Sequence, residues 1–155
     1  MPWDFPVEVN CYEAFAYCRW LSQQLGVPVT LPSEDEYYAL LKHIGYDHEK
    51  ATSNIGLRYS NPSPIDKFET NGLYDAMGNI WQWTRTPMYP FKGFEVHQVY
   101  DDFTMPTFDD KHNLMKGGSW VSTGNLAMPF SRYAFRRHFY QHAGFRTAFP
   151  SLTEE

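Results

Sequence analysis

The chain has only two cysteines, Cys11 and Cys18, and no run of the roughly 18 apolar residues that a membrane-spanning helix needs. A membrane span is therefore excluded. The first residues carry no basic segment followed by an apolar one, so no secretory leader is read there and the protein is expected in the cytoplasm. Positive charge is also scarce. With 13 basic residues against 18 acidic ones, the net charge of −5 gives no electrostatic footprint for nucleic acid. The one local exception is the cluster from Arg132 to Arg137. No internal repeat or low-complexity tract appears. What is abundant is rings: 18% of the residues are aromatic, and together with 11 prolines and 10 glycines this points to a loop-rich fold with an aromatic core. At 155 residues the chain reads as one domain, residues 1–155.

Two helices announce themselves by their caps. Asn10 followed by Glu13 is a capping-box pattern, after which Cys11, Ala14, Phe15, Cys18, Leu21 and Leu25 recur at helical spacing until Gly26. On that helix the two cysteines lie about 10 Å apart along the axis, too far for a disulfide, so both are expected as core thiols. Ser33 and Glu36 repeat the capping box ahead of Tyr37, Leu40, Leu41 and Ile44, closed by Gly45. Residues 46–70 are polar and turn-rich, with Pro62 and Pro64 ruling out a helix. Asn71 to Trp83, NGLYDAMGNIWQW, reads as a glycine-punctuated core segment. Residues 84–116 are predicted irregular, yet they carry enough aromatics to pack onto something. Three short antiparallel strands are expected in the tail, at 117–121, 131–137 and 144–149.

Four landmarks stand in a fixed order: LPSEDEYYALL, NGLYDAMGNIWQW, KGGSW, and RYAFRR with GFRTA. This combination, with PVEVNCYEAFAYCRWL before it, resembles the formylglycine-generating enzyme or sulfatase-modifying factor family over nearly the whole chain. The resemblance implies an α+β, C-type-lectin-like fold with two helices, short antiparallel strands and long irregular loops. Formylglycine-generating enzymes carry a cysteine pair shortly after the GGSW segment. This chain has none there, so that activity is not expected.

YDDFTMPTFDDKHNLMKGGSW and RYAFRRHFYQHAGFR look closer to the ovothiol-pathway sulfoxide synthases, non-haem iron enzymes that join cysteine to histidine using dioxygen. In such enzymes an N-terminal helical domain supplies three histidines to Fe(II), and the lectin-like domain supplies the substrate pocket and a tyrosine. The resemblance therefore implies a fragment, lacking the domain's N-terminal part and the iron-bearing helical domain, which would be a partner in trans. It places the tyrosine at Tyr100 and substrate contacts at Arg136, Arg137, His138 and Phe139. A phenol at Tyr100 can donate a proton or hydrogen atom during C–S bond formation.

Arginine suits a substrate carboxylate because its planar fork bonds both oxygens. Strand alternation sends Arg136 and Arg137 to opposite faces, and Arg137 is marginally preferred for the pocket. His138 and His142 have a metal-binding spacing only if they lie on a helix, and Ala143 and Gly144 stand where a carboxylate should follow. No metal ligands are predicted in this chain. Gln82 occupies the centre of a WEW-type triplet whose glutamate helps bind calcium in many family members, and an amide is a weaker ligand, so calcium is allowed but not predicted. His43, His48, His97 and His112 show no mutual spacing that marks a site. Two other readings stand beside the enzyme: a non-catalytic lectin-like module for a small ligand or protein, and a truncated scaffold persisting as a homo-oligomer because a sheet edge lacks its cover.

Overall fold

The computed structural model describes residues 2–100 and 105–150. Both capping boxes form. Asn10 starts α1 (Cys11–Leu25), its side chain accepting from the Glu13 N–H at 3.0 Å while its own N–H donates to the Glu13 carboxylate at 2.9 Å. Ser33 starts α2 (Glu34–His43) with the same reciprocal pair. Each box satisfies two N–H groups that the first turn leaves without an intrahelical partner.

The strands follow in chain order. A two-residue hairpin joins β1 (Glu69–Thr70) to β2 (Leu73–Tyr74). The main sheet contains β3 (Trp81–Pro87), β4 (His112–Lys116), β5 (Tyr133–Arg136) and β6 (Ala143–Phe145), ordered β5-β4-β3-β6. Short 3-10 turns at Met105–Thr107 and Gly124–Ala127 complete it.

Three expectations are corrected here. Only Trp81 to Trp83 of the Asn71–Trp83 segment begin the central strand, and that strand runs on to Pro87, into the region expected to be irregular. The strand expected at 117–121 lies upstream at His112–Lys116 instead, because Gly117 and Gly118 take φ values of 92° and 68°, which no extended strand accommodates. The third tail strand, β6, pairs parallel with β3, not antiparallel, since β4 already occupies the other side of β3. Beyond it, Ala148 does bridge Thr30 antiparallel.

Strand alternation divides the core. Trp81, Trp83, Met115 and Ala143 share one face and pack under α1 against Cys11, Ala14 and Cys18. Both thiols are buried and unbridged, and burial pushes Cys11 up to about 12. The opposite face carries Gln82, Thr84 and Lys116 toward α2, whose Tyr37 and Leu41, with Ile44 just after the helix, pack with Ala76 and Met77. The 46–70 segment is ordered by amide hydrogen bonds. Asn79 accepts from the Ser63 N–H at 2.9 Å and donates to the Ser63 carbonyl at 3.0 Å, and Asn54 donates to the Asn61 carbonyl at 2.8 Å. Gly78 must be glycine at this junction: a Cβ there would stand 2.4 Å from the Asn54 carbonyl oxygen.

Candidate functional site

β5 is an edge strand, and a cleft of about 390 Å³ is lined by its residues together with His112 of the neighbouring β4. Consecutive residues Tyr133 to Arg136 form its floor, which is possible only where a strand's edge is unpaired. Met88, which follows β3 and donates its N–H to the His112 carbonyl at 2.8 Å, Pro106, Thr107 and Phe139 also line it. A smaller pocket of about 170 Å³ adjoins it, walled by Tyr12, Asp109, Lys111, Arg137 and His138. Arg136 belongs to both.

The charges around the cleft are unequal in their engagement. Arg132 is fully employed: its guanidinium takes both Glu34 oxygens at 2.9 and 3.0 Å, donates to the Tyr89 carbonyl at 2.9 Å, and lies 4.1 Å from the Phe91 ring centre. Glu34 is itself buried and also faces Lys116, whose ammonium is fully buried and donates to the Ser131 carbonyl at 2.6 Å and the Tyr38 hydroxyl at 2.8 Å. Burial lowers Lys116 to about 8 despite the nearby carboxylate. This cluster fixes the start of β5 from beneath. Arg137 is also spent, donating to the Asn113 side chain at 2.6 Å and the Asp110 carbonyl at 2.7 Å. Arg136 has no ion pair and no side-chain hydrogen bond among the described residues, and it is exposed. Among the described residues it is thus Arg136 whose guanidinium has no partner, while Arg137, the one preferred from alternation, ties the turn down.

One cleft residue is not marked by its spacing to other histidines. His112 sits directly opposite Arg136 in the β4–β5 register, so the two side chains share a face. Its Nδ1 lies 2.7 Å from Asp109 Oδ1, which also accepts from the Lys111 N–H at 2.8 Å. The hydrogen bond from His112 holds the Asp109 carboxyl down at about 2. An aspartate three residues before a strand-initiating histidine was the available signal.

The remaining expected residues are placed as follows. Phe139 lines the cleft, and His138 lines the small pocket with its ring edge-on to Phe139 at 4.5 Å. His138 and His142 are not on a helix; His142 bonds Glu8 on another part of the surface. Tyr100 is exposed, its N–H donating to the His97 carbonyl at 2.9 Å, and it is outside the set of residues lining these two cavities. Asp101 to Thr104 lie outside the described residues.

Among the described residues no three His, Cys, Asp or Glu side chains converge to hold an ion. At the calcium position, Gln82 Oε1 already accepts from Arg146 Nε at 2.9 Å, so a guanidinium occupies the place a cation would take. No helix among the described residues is long and apolar enough to cross a membrane.

Comparison with known proteins adds the following. The sequence model of the family described as "Sulfatase-modifying factor enzyme 1-like domain" matches residues 3–150. The hercynine oxygenase of Mycobacterium tuberculosis is 28% identical, over 96% of this chain and 37% of its own length. Ergothioneine biosynthesis protein 1 of Neurospora crassa is 34% identical over 48% of this chain and 9% of its own. The chain thus spans little more than a third of the first of these relatives and less of the second. Among solved structures, Treponema denticola variable protein 1 superposes with a TM-score of 0.74 at 21% identity, covering 94% of this chain and 71% of that one, which is a likeness of fold.

Proposed function

Because the chain belongs to the family of sulfatase-modifying factor enzyme 1-like domains, we propose that its cleft is the substrate pocket of an oxygen-dependent sulfoxide synthase joining cysteine to histidine. The observation that carries this reading is Arg136. An exposed guanidinium without a partner among the described residues, set at the junction of two cavities and beside apolar walls, offers an amino-acid carboxylate a bidentate seat at little desolvation cost. The similarity to hercynine oxygenase supports an oxygenase of this family, and the resemblance of RYAFRRHFYQHAGFR to the sulfoxide synthases is what favours the joining of cysteine to histidine.

Arg136 binds the carboxylate, Phe139 and the edge of β5 exclude water from one side, and Arg132 holds that edge still through Glu34. Tyr100, on the loop, is the proton or hydrogen-atom donor that favours C–S bond formation over simple thiol oxidation. Fe(II), bound by histidines of a separate helical domain, would supply dioxygen activation, and no step is assigned to a metal held by this chain.

The test is a product assay. The purified chain is incubated with Fe(II), cysteine, histidine and air, with and without a helical iron-binding domain, and the sulfoxide is sought by mass. Product is expected only with the helical domain, and Tyr100→Phe should divert it toward oxidised cysteine. No product in either mixture, with no binding of cysteine or histidine, overturns the reading.

A further inference from the structure

The Asp109–His112 pair joins the small pocket, which Asp109 walls, to the cleft, which His112 lines, and the carboxylate seat does not use it. Asp109 is an acceptor with two donors on one oxygen, the Lys111 N–H at 2.8 Å and His112 Nδ1 at 2.7 Å. A carboxylate can only accept, so it fixes the imidazole proton on Nδ1 and leaves the neutral ring with a lone pair on Nε2. His112 lines the cleft, its side chain is 12% exposed, and Nε2 has no partner among the described residues. An acceptor is therefore presented to whatever fills the cleft. Its cross-strand neighbour on the same face is Arg136.

The cleft thus offers three things side by side: a cation, an oriented nitrogen lone pair, and apolar walls from Met88, Pro106 and Phe139. Its volume of about 390 Å³ suits one small molecule. The ligand that satisfies all three has a carboxylate, a flat body of low polarity and a ring N–H. We propose that His112, oriented by Asp109, is a specificity-determining residue of this cleft. It accepts a hydrogen bond from the ring N–H of a heteroaromatic amino acid whose carboxylate rests on Arg136. The inference rests on the substrate-pocket reading and sharpens it, since it assigns the cleft to the histidine substrate and not to cysteine. A site whose acceptor is left without a donor rejects the analogue that lacks one far more strongly than an apolar pocket rejects an extra methyl group.

The 155-residue chain is titrated calorimetrically at pH 8 with L-histidine and with its two ring-N-methylated forms, neither of which carries a ring N–H when neutral. Wild type should bind histidine at least about tenfold more tightly than either methylated form. In His112→Phe this preference should fall below about threefold, and His112→Gln, which restores an acceptor, should recover part of it. Asp109→Asn should also weaken the preference, because the amide can present its N–H to Nδ1 and shift the ring proton to Nε2. Methylated and unmethylated histidine binding wild type equally would overturn the inference without any variant. So would a preference that survives in His112→Phe while Arg136→Ala abolishes binding, and that result would leave the substrate-pocket reading intact. Failure of wild type to bind histidine at all would overturn both.

Discussion

Replacing Glu34 with glutamine removes the negative charge from a buried cluster that contains two cations. In the native chain Glu34 receives both nitrogens of the Arg132 fork and faces Lys116 at 3.5 Å, with the Lys116 side chain 0% exposed. The amide keeps the shape but leaves an ammonium and a guanidinium under α2 without a counter-charge. Stranding one buried partner of an ion pair typically costs about 3–5 kcal/mol, which for a chain of this size lowers the melting temperature by about 10 °C. Lys116→Met is the control. It loses the bonds to Ser131 and Tyr38 but also relieves an ammonium whose burial, judged from its fall to about 8, costs about 3 kcal/mol. Its net cost should stay within about 1.5 kcal/mol. Adding Lys116→Met to Glu34→Gln should recover about 1–3 kcal/mol, because one of the two stranded cations is gone. The sign of the pH effect follows. A lysine whose folded value lies below its unfolded one penalises the fold in full below pH 8, and the penalty disappears as pH rises toward the unfolded value of 10.5. Stability of the wild type should therefore gain on Lys116→Met across that window. Urea denaturation of the four proteins between pH 7 and 10.5 measures all of this. A Glu34→Gln loss no larger than that of Lys116→Met would refute the reasoning.

Gly78→Ala meets the Asn54 carbonyl at 2.4 Å with φ at 82°, so it should lose at least about 2 kcal/mol, whereas Gly72→Ala, equally left-handed but with open space around it, should lose about 1; thermal melts separate them. Asp75 is raised to about 6, chiefly by burial, so the folded chain binds its proton more tightly than the unfolded one, and stability should fall as pH rises from 4 to 6. Asp75→Asn should flatten that slope in denaturant titrations. Arg137→Ala should cost about 1–3 kcal/mol by leaving the Asn113 oxygen and the Asp110 carbonyl without their donor, and a melting temperature matching that of Arg136→Ala would contradict this assignment.

Much of the scaffold was legible because its signals are local. A capping box is complete within four residues, and both helices begin where Asn10 and Ser33 place them. The strands were harder for reasons that are not local. Trp81 to Pro87 is buried on both faces at its start, so it lacks the alternation that marks a half-exposed strand. The glycines of KGGSW read as an entrance to a strand, yet they end one, and only their positive φ decides the matter. The parallel pairing of Ala143–Phe145 depends on which side of β3 remains open, a property of the assembled sheet. At the site, the basic run directed attention to Arg136 and Arg137 but could not tell which guanidinium was already engaged. The partners of Arg137, at Asn113 and Asp110, lie more than 20 residues away in sequence. Spacing between histidines does not reveal His112, because its partner is a carboxylate.

The claim that Arg136 seats an amino-acid carboxylate in this cleft is tested most directly by titrating cysteine and histidine into wild type and Arg136→Ala, with a thermal melt of each. Arg136 is exposed and without a partner among the described residues, so its truncation should change stability by no more than about 0.5 kcal/mol. Losing the charge-assisted pair to a carboxylate should weaken binding by at least about tenfold. Equal affinity of the two proteins for both amino acids, or no binding by wild type, would contradict it.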